Sequence, residues 1–250
     1  MRRLALALFL CLTTPVAAED VVASLSSNAV EITTNFDGSE ILIFGAVRRE
    51  EPIPLNAPLE VIITVEGPSR TVAVRRKDRV FGIWANTQSY EASDAPTFYA
   101  VSTTGPFDEV LSDANDLLYG VSIPRAIPQV ASDTPDQSAF SEALIRIRQD
   151  EGLYQYNEGG VILRQSTLFD TAVQLPANLV EGDYQMRIFL TRDGEVVSSS
   201  QGEITVRKVG LERLTYNLAQ NQPLIYGILS LLIAIAAGWL ASVFFRLVRG

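Results

Sequence analysis

Alternating apolar and polar side chains run through most of the chain. The pattern is seen at Val30-Glu31-Ile32-Thr33, at Val61, Ile63 and Val65, at Val72 and Val74, and at Tyr184-Gln185-Met186-Arg187-Ile188. A period of two is the mark of a half-buried strand. Phe169, Thr171, Val173 and Leu175 repeat it, and Glu203-Ile204-Thr205-Val206 supplies a last strand. Residues 41–47 are instead a continuous apolar run, which suits a central strand. Turn signals interrupt these segments roughly every 8 to 12 residues. They are Asp37-Gly38, Glu66-Gly67-Pro68-Ser69 and Asp193-Gly194, the last a hairpin signal. Such spacing predicts a mainly β fold, an immunoglobulin-like β-sandwich region of one or two units. Gly182-x-Tyr184 reads either as the tyrosine corner of such domains, its phenol bonding back to the upstream backbone, or as an ordinary core tyrosine after a turn glycine.

The period changes between the strand-rich stretches. Residues 138–149 carry Phe140, Leu144 and Ile147 at helical spacing, with Asp136 or Ser138 placed to cap them. Residues 107–119, with Val110, Leu111, Leu117 and Leu118, predict another short helix, and 122–135 read as loop. The organisation expected is a first β-sandwich at 19–104, a helical connection at 105–152, a second β unit at 153–210 and a linker at 211–222. The second unit shows few strands, so it either stands alone or shares a core with the first.

Both ends are apolar for different reasons. Residues 1–18 place Arg2 and Arg3 before a nine-residue apolar core, 4–12, and end in Val16-Ala17-Ala18, the layout of a secretory signal peptide. Leu8-Phe9-Leu10-Cys11 superficially resembles a lipobox, but the bulky Leu10 occupies the place of a small residue. Residues 224–245 are 22 positions without a formal charge. At about 1.5 Å per residue they are long enough for a hydrocarbon core of about 30 Å. A transmembrane helix is therefore expected at 223–246, with a tail at 247–250. Arg246 and Arg249 beyond the span place that tail in the cytoplasm and the preceding region in the periplasm of an inner membrane.

Composition then removes much of chemistry. The chain has 20 Lys plus Arg, 29 Asp plus Glu, no His, and one Cys that falls in the leader. Imidazole bases, Ser-His and Cys-His pairs, Cys/His metal sites and thiol redox chemistry are excluded. No cofactor or metal is expected. Setting aside Arg2, Arg3, Arg246 and Arg249 leaves 16 basic residues against 29 acids, a formal charge of −13 for the region between the leader and the tail. That disfavours a nucleic-acid partner and broad binding to anionic lipid.

Against this acidic background Arg75-Arg76-Lys77-Asp78-Arg79 is the densest cationic run. Arg75, Arg76 and Arg79, with Trp84, Asn86 and Tyr99 nearby in sequence, make a candidate anion pocket; the alternative is a solvated turn beside a core tryptophan. Carboxylate pairs such as Asp108 with Glu109, Asp113 with Asp116, or Asp150 with Glu151 lack a calcium-loop spacing. In the membrane segment Ser230, Ala234, Gly238 and Ser242 recur every fourth residue, a small-residue stripe of the kind that lets helices pack closely in lipid.

Several of these motifs also occur together in order. Arg75-Arg76-Lys77 through Gly82-Ile83-Trp84-x-Asn86, then Pro96-x-Phe98-Tyr99, then Leu175-Pro176 with Gly182-x-Tyr184, and finally Tyr226-Gly227 leading to Gly238-Trp239 resemble the alpha-proteobacterial putative transmembrane protein family. The similarity spans nearly the whole chain after the leader. It implies a membrane protein of this length with no assigned activity and no catalytic residues to carry over. It also implies a loose association with sulfite-type anion exporters. The leading expectation is a non-catalytic accessory module for another inner-membrane protein. The alternatives are a periplasmic receptor for a small anion and, more remotely, a carboxylate-only enzyme acting on glycans.

Overall fold

The computed structural model describes residues 20–27, 29–32, 38–49, 58–127, 137–208, 218–220 and 222–249. The leader, Thr33, Asp37, Asp136, most of the 211–222 linker and Gly250 lie outside the described residues. The chain divides into two compact units, one holding most of the strands and the short helices, the other the C-terminal helix.

The first half supplies β1 (Asp20–Leu25), β2 (Ala29–Ile32), β3 (Ser39–Arg48), β4 (Glu60–Glu66), β5 (Ser69–Val80), β6 (Ile83–Pro96) and β7 (Tyr99–Thr103). Short helices follow: α1 (Phe107–Val110), α2 (Asp113–Tyr119), α3 (Ile123–Ala126) and the longer α4 (Gln137–Asp150). The remainder is β8 (Tyr154–Asn157), β9 (Ile162–Arg164), β10 (Leu168–Leu175), β11 (Gly182–Arg192), β12 (Glu195–Lys208) and α5 (Pro223–Arg249). One sheet has the order β1-β3-β10-β9, a second β2-β12-β11-β4-β7-β8, and β5 with β6 forms a separate two-stranded ribbon. The β7–β8 pairing is parallel. Because β3 pairs with β10 and β4 with β11, the segments 19–104 and 153–210 build the same two sheets, not two separate ones.

The alternation in sequence sets what each sheet buries. In β3 and β10 the odd positions Ile41, Ile43, Val47, Phe169, Val173 and Leu175 are buried and the even ones face out. β3 is central by pairing, flanked by β1 and β10, yet Leu42 and Phe44 are half-exposed. The apolar run therefore gives a strand covered on one face. β4 is buried on both faces. Val61, Ile63 and Val65 align with Leu190, Ile188 and Met186, while Ile62 and Thr64 align with Phe189 and Arg187. Gly45 of β3 lies opposite Phe169 of β10, whose ring occupies the space a Cβ would need; such a Cβ would also stand 2.9 Å from the Val22 carbonyl.

Local chemistry explains the connections. Asp193 and Gly194 have φ of 49° and 78°, the paired positive values of the hairpin turn that their sequence signals. The 107–119 segment is two helices, because Leu111 is extended and buried and the Ser112 amide donates to the Gly194 carbonyl at 2.9 Å. Leu117 and Leu118 point to solvent, and Asn115 and Asp116 are the buried members of α2. Ile123 to Ala126 forms a helical turn where a loop was expected, opened by Pro124 in its first turn. The phenol of Tyr184 donates to the Val180 carbonyl at 2.8 Å, the upstream bond of the first of the two readings of Gly182-x-Tyr184.

α5 is 27 residues long, and the stretch Pro223–Ser242 has a mean hydropathy of 2.2. None of that stretch is buried against protein, so the helix is long and apolar enough to cross a membrane by length and composition.

Candidate functional site

The cationic run and the tryptophan lie on the β5–β6 ribbon, which continues beyond both sheets. Its inner part is held to α4: the Tyr90 and Phe140 rings stack at 5.9 Å, and the Arg76 guanidinium lies 5.5 Å from the Phe140 ring. Arg76 also donates to Gln88 Oε1 at 2.8 Å. Further out Arg79 stands opposite Trp84, and its Nε reaches the Gly82 carbonyl at 3.4 Å. The turn closes through Phe81 and Gly82, with φ of 49° and 87°. Phe81 is fully exposed, and Ile83 and Trp84 are 70% and 72% exposed. Arg75, Lys77, Arg79 and Asn86 are exposed as well.

Tyr99 does not join them. β6 ends at Pro96 and β7 carries the chain back into the second sheet, so roughly 40 Å of extended backbone separates Trp84 from that return. Tyr99 is fully buried there. The pocket expected from Arg75, Arg76, Arg79, Trp84, Asn86 and Tyr99 is thus divided between the far end of a ribbon and the interior of a sheet. Two clefts of about 500 Å³ each, one beside β1 and β12 and one beside β8 and β10, take none of those residues as lining.

Tyr99 belongs instead to a polar node around Arg187 of β11. Arg187 donates through Nη1 to the Tyr119 carbonyl at 2.8 Å, and through Nη2 to the Tyr99 hydroxyl at 3.0 Å and the Gly120 carbonyl at 3.2 Å. The Tyr99 hydroxyl in turn donates to the Val121 carbonyl at 2.9 Å. The carboxylate of Asp116 accepts the Val121 and Ser122 amides at 3.1 and 2.7 Å. The node fastens the 107–127 segment onto the sheet. Burial pushes the Tyr99 phenol well above its ordinary value, against the pull of Arg187. Glu66, one strand away, is raised by burial and lowered in part by the same guanidinium. No sequence signal pairs Arg187 with Tyr99, since 88 positions separate them.

The carboxylate pairs are scattered. Asp116 is occupied by backbone amides, and Glu151 pairs with Arg148 at 3.2 Å. Among the described residues no group of three or more His, Cys, Asp or Glu side chains is placed to hold a metal ion.

A feature not anticipated from the sequence is the outward face of the first sheet. Val22, Leu42, Phe44, Ile162 and Leu168, on four adjacent strands, are each between 45% and 57% exposed. At one end of this face Arg48 pairs with Asp20 at 2.8 Å, and within it Asp170, which the register places between Phe44 and Ile162, pairs with Arg164. In α5, Ser230, Ala234, Gly238 and Ser242 are all exposed, and a Cβ added at Gly238 would meet nothing within 4 Å.

Comparisons with known proteins agree with the membrane helix and add little chemistry. No curated protein matches the chain. Among solved structures it is similar to the sporulation control protein Spo0M from Bacillus subtilis, with 11% identity over 82% of this chain and 55% of that one. The TM-score of 0.29 is too low for that likeness to support any argument. A family profile described as "Putative transmembrane protein" matches residues 20–247, nearly the whole chain, and the chain therefore belongs to this alpha-proteobacterial transmembrane family.

Proposed function

We propose that the protein is a single-pass inner-membrane protein whose periplasmic head, an immunoglobulin-like β-sandwich region, works as a non-catalytic accessory module for another membrane protein. The observation that carries this reading is the outward face of the first sheet. Five large apolar side chains on neighbouring strands form a patch of the order of a few hundred Å², the size that marks interaction surfaces on otherwise soluble domains. Its surroundings favour protein over lipid as the cover. The arginines of these four strands, Arg48 and Arg164, are already paired with Asp20 and Asp170, so they add no attraction for lipid phosphate to the apolar side chains around them. A helix that holds the head at the bilayer makes a protein of the same membrane the natural occupant. The stripe Ser230, Ala234, Gly238 and Ser242 offers that partner a second, intramembrane contact. A sulfite-type anion exporter is the specific partner to test.

A photo-crosslinking residue placed at Phe44 in the full chain, in native membranes, tests the reading. A discrete adduct with one polytopic membrane protein, lost together with co-purification in Phe44→Glu, supports it. Absence of any adduct at Leu42 and Phe44, or adducts only with a second copy of this chain, would overturn it.

A further inference from the structure

The tip of the β5–β6 ribbon is the part of the fold that the reading above leaves unused. Three physical features set it apart. Its turn places a phenylalanine at φ 49°, a region that bulky side chains rarely adopt and that Asn-Gly pairs normally occupy in such turns. No intramolecular contact compensates, because Phe81 is completely exposed. Exposure then continues through Val80, Ile83 and Trp84, so the four largest apolar side chains of the tip all face solvent. Cations stand directly behind them. Residues 75–88 hold Arg75, Arg76, Lys77 and Arg79 against the single acid Asp78, a local charge of +3 in a chain whose total is −9. That acid is itself engaged, accepting from the Thr87 hydroxyl at 2.6 Å.

We propose that this hairpin tip is a docking element for an anionic bilayer surface, with Phe81, Ile83 and Trp84 seated at the level where headgroups meet acyl chains and Arg79 and Lys77 on lipid phosphates. The spacing fits that occupant. At about 3.3 Å per residue Arg79 lies roughly 7 Å and Lys77 roughly 13 Å behind the turn. Apolar side chains at an interface sink about 5 to 10 Å. Inserting the rings to that depth brings the two cations to the phosphate layer. Aromatic rings and cations on long stems are the side chains that suit this boundary. The acidic excess that disfavours broad lipid binding does not reach the tip, since ionic screening confines each charge to about 10 Å or less.

The full-length protein carrying Trp239→Phe, so that Trp84 is the sole tryptophan, is reconstituted into nanodiscs of zwitterionic lipid alone or with anionic phosphatidylglycerol. Trp84 emission should shift to the blue in the anionic discs. Its quenching should move from aqueous acrylamide to brominated acyl chains, and high salt should reverse both changes. Neutralising Lys77 and Arg79 to Gln lowers the docked-to-undocked ratio by roughly thirtyfold, at about one lipid contact each. Phe81→Asn relieves the turn, so the fold keeps or gains stability while protection of Trp84 from acrylamide declines.

Several results would overturn the assignment. One is equal acrylamide access to Trp84 in all discs. Protection that rises with protein concentration and ignores lipid composition would assign the tip to a second copy of the chain. A spectral response to free inorganic phosphate equal to that of anionic discs would reduce the tip to a small-anion site. These readouts do not depend on the outward sheet face, so failure here leaves the accessory reading standing, and the reverse also holds.

Discussion

Replacing Arg187 by methionine isolates the node that fastens the 107–127 segment. Methionine keeps an apolar stem beside Phe189, whose ring lies 5.4 Å from the guanidinium, and removes the three donated bonds. Hydrogen bonds from charged donors contribute about 1.5 to 3 kcal/mol each. The single Tyr99 hydroxyl proton is already donated to the Val121 carbonyl, so the uncompensated loss falls on the Tyr119 and Gly120 carbonyls and the Tyr99 oxygen. Allowing for the better solvation match of the apolar substitute, the net cost is about 3 kcal/mol, a large share of the 5 to 15 kcal/mol typical of a domain. Arg187 is also the influence that lowers the raised Glu66 pKa, so its removal raises that group further. A carboxyl raised on folding contributes stability that is present at low pH and lost as pH climbs through the folded value. The deficit of Arg187→Met should accordingly be larger at pH 7 than at pH 4.5. Urea titration of the full chain in detergent, followed by far-ultraviolet circular dichroism, measures the loss. Amide exchange at Val121 and Ser122 should accelerate with it. Arg187→Lys should recover less than half, because an ammonium cannot span carbonyl and phenol together. A change within about 0.5 kcal/mol of wild type, or one independent of pH, would refute the reasoning.

Two further outcomes follow from the packing. Gly45→Ala should destabilise by about 1 to 2 kcal/mol, since overpacking against the Phe169 ring outweighs the backbone entropy a strand glycine loses. Its combination with Phe169→Leu should show a favourable coupling of at least ~0.5 kcal/mol, and simple additivity of the two would count against the contact. Burial also pushes the phenols of Tyr154 and Tyr184 up to about 12, and those of Tyr99 and Tyr156 upward as well. Protons held more tightly in the folded state contribute stability that is complete below about pH 10 and lost above it, at about 1.4 kcal/mol per pH unit for each proton. Urea midpoints should therefore fall steeply between about pH 10 and 12, less so in Tyr154→Phe; a flat profile would show that these phenols ionise freely.

Short-range signals were legible in the sequence and long-range ones were not. The helix at 138–149 appears as Gln137–Asp150 because Phe140 and Leu144 repeat at one turn and are buried together. Asp193-Gly194 closes its hairpin, and the Tyr184 phenol finds Val180, since both depend on a few neighbouring residues. Pairing of β3 with β10 and the Arg187–Tyr99 contact depend on chain closure across long separations, which no local pattern encodes. The break at Leu111 likewise needs the distant Gly194 carbonyl. Trp84 was a misleading signal for a physical reason: a strand tryptophan beside cations looks the same in sequence whether the strand ends in a core or projects from it.

The departures from local consistency concentrate where apolar side chains find no cover in their own unit: the ribbon tip, the outward sheet face and α5. In a chain whose core otherwise obeys its alternation, such exceptions point to external partners more than to faulty packing. Their electrostatic settings differ enough to separate them. At the tip unbalanced cations add a Coulombic attraction that weakens as salt shortens the Debye length. On the sheet face the arginines are paired with acids, which leaves apolar burial as the driving force, and salt does not screen it. A single ionic-strength series on the full chain in anionic membranes should therefore release Trp84 from lipid while leaving the Phe44 adduct intact. Loss of both together would mean that one surface, and not two, holds the head in place.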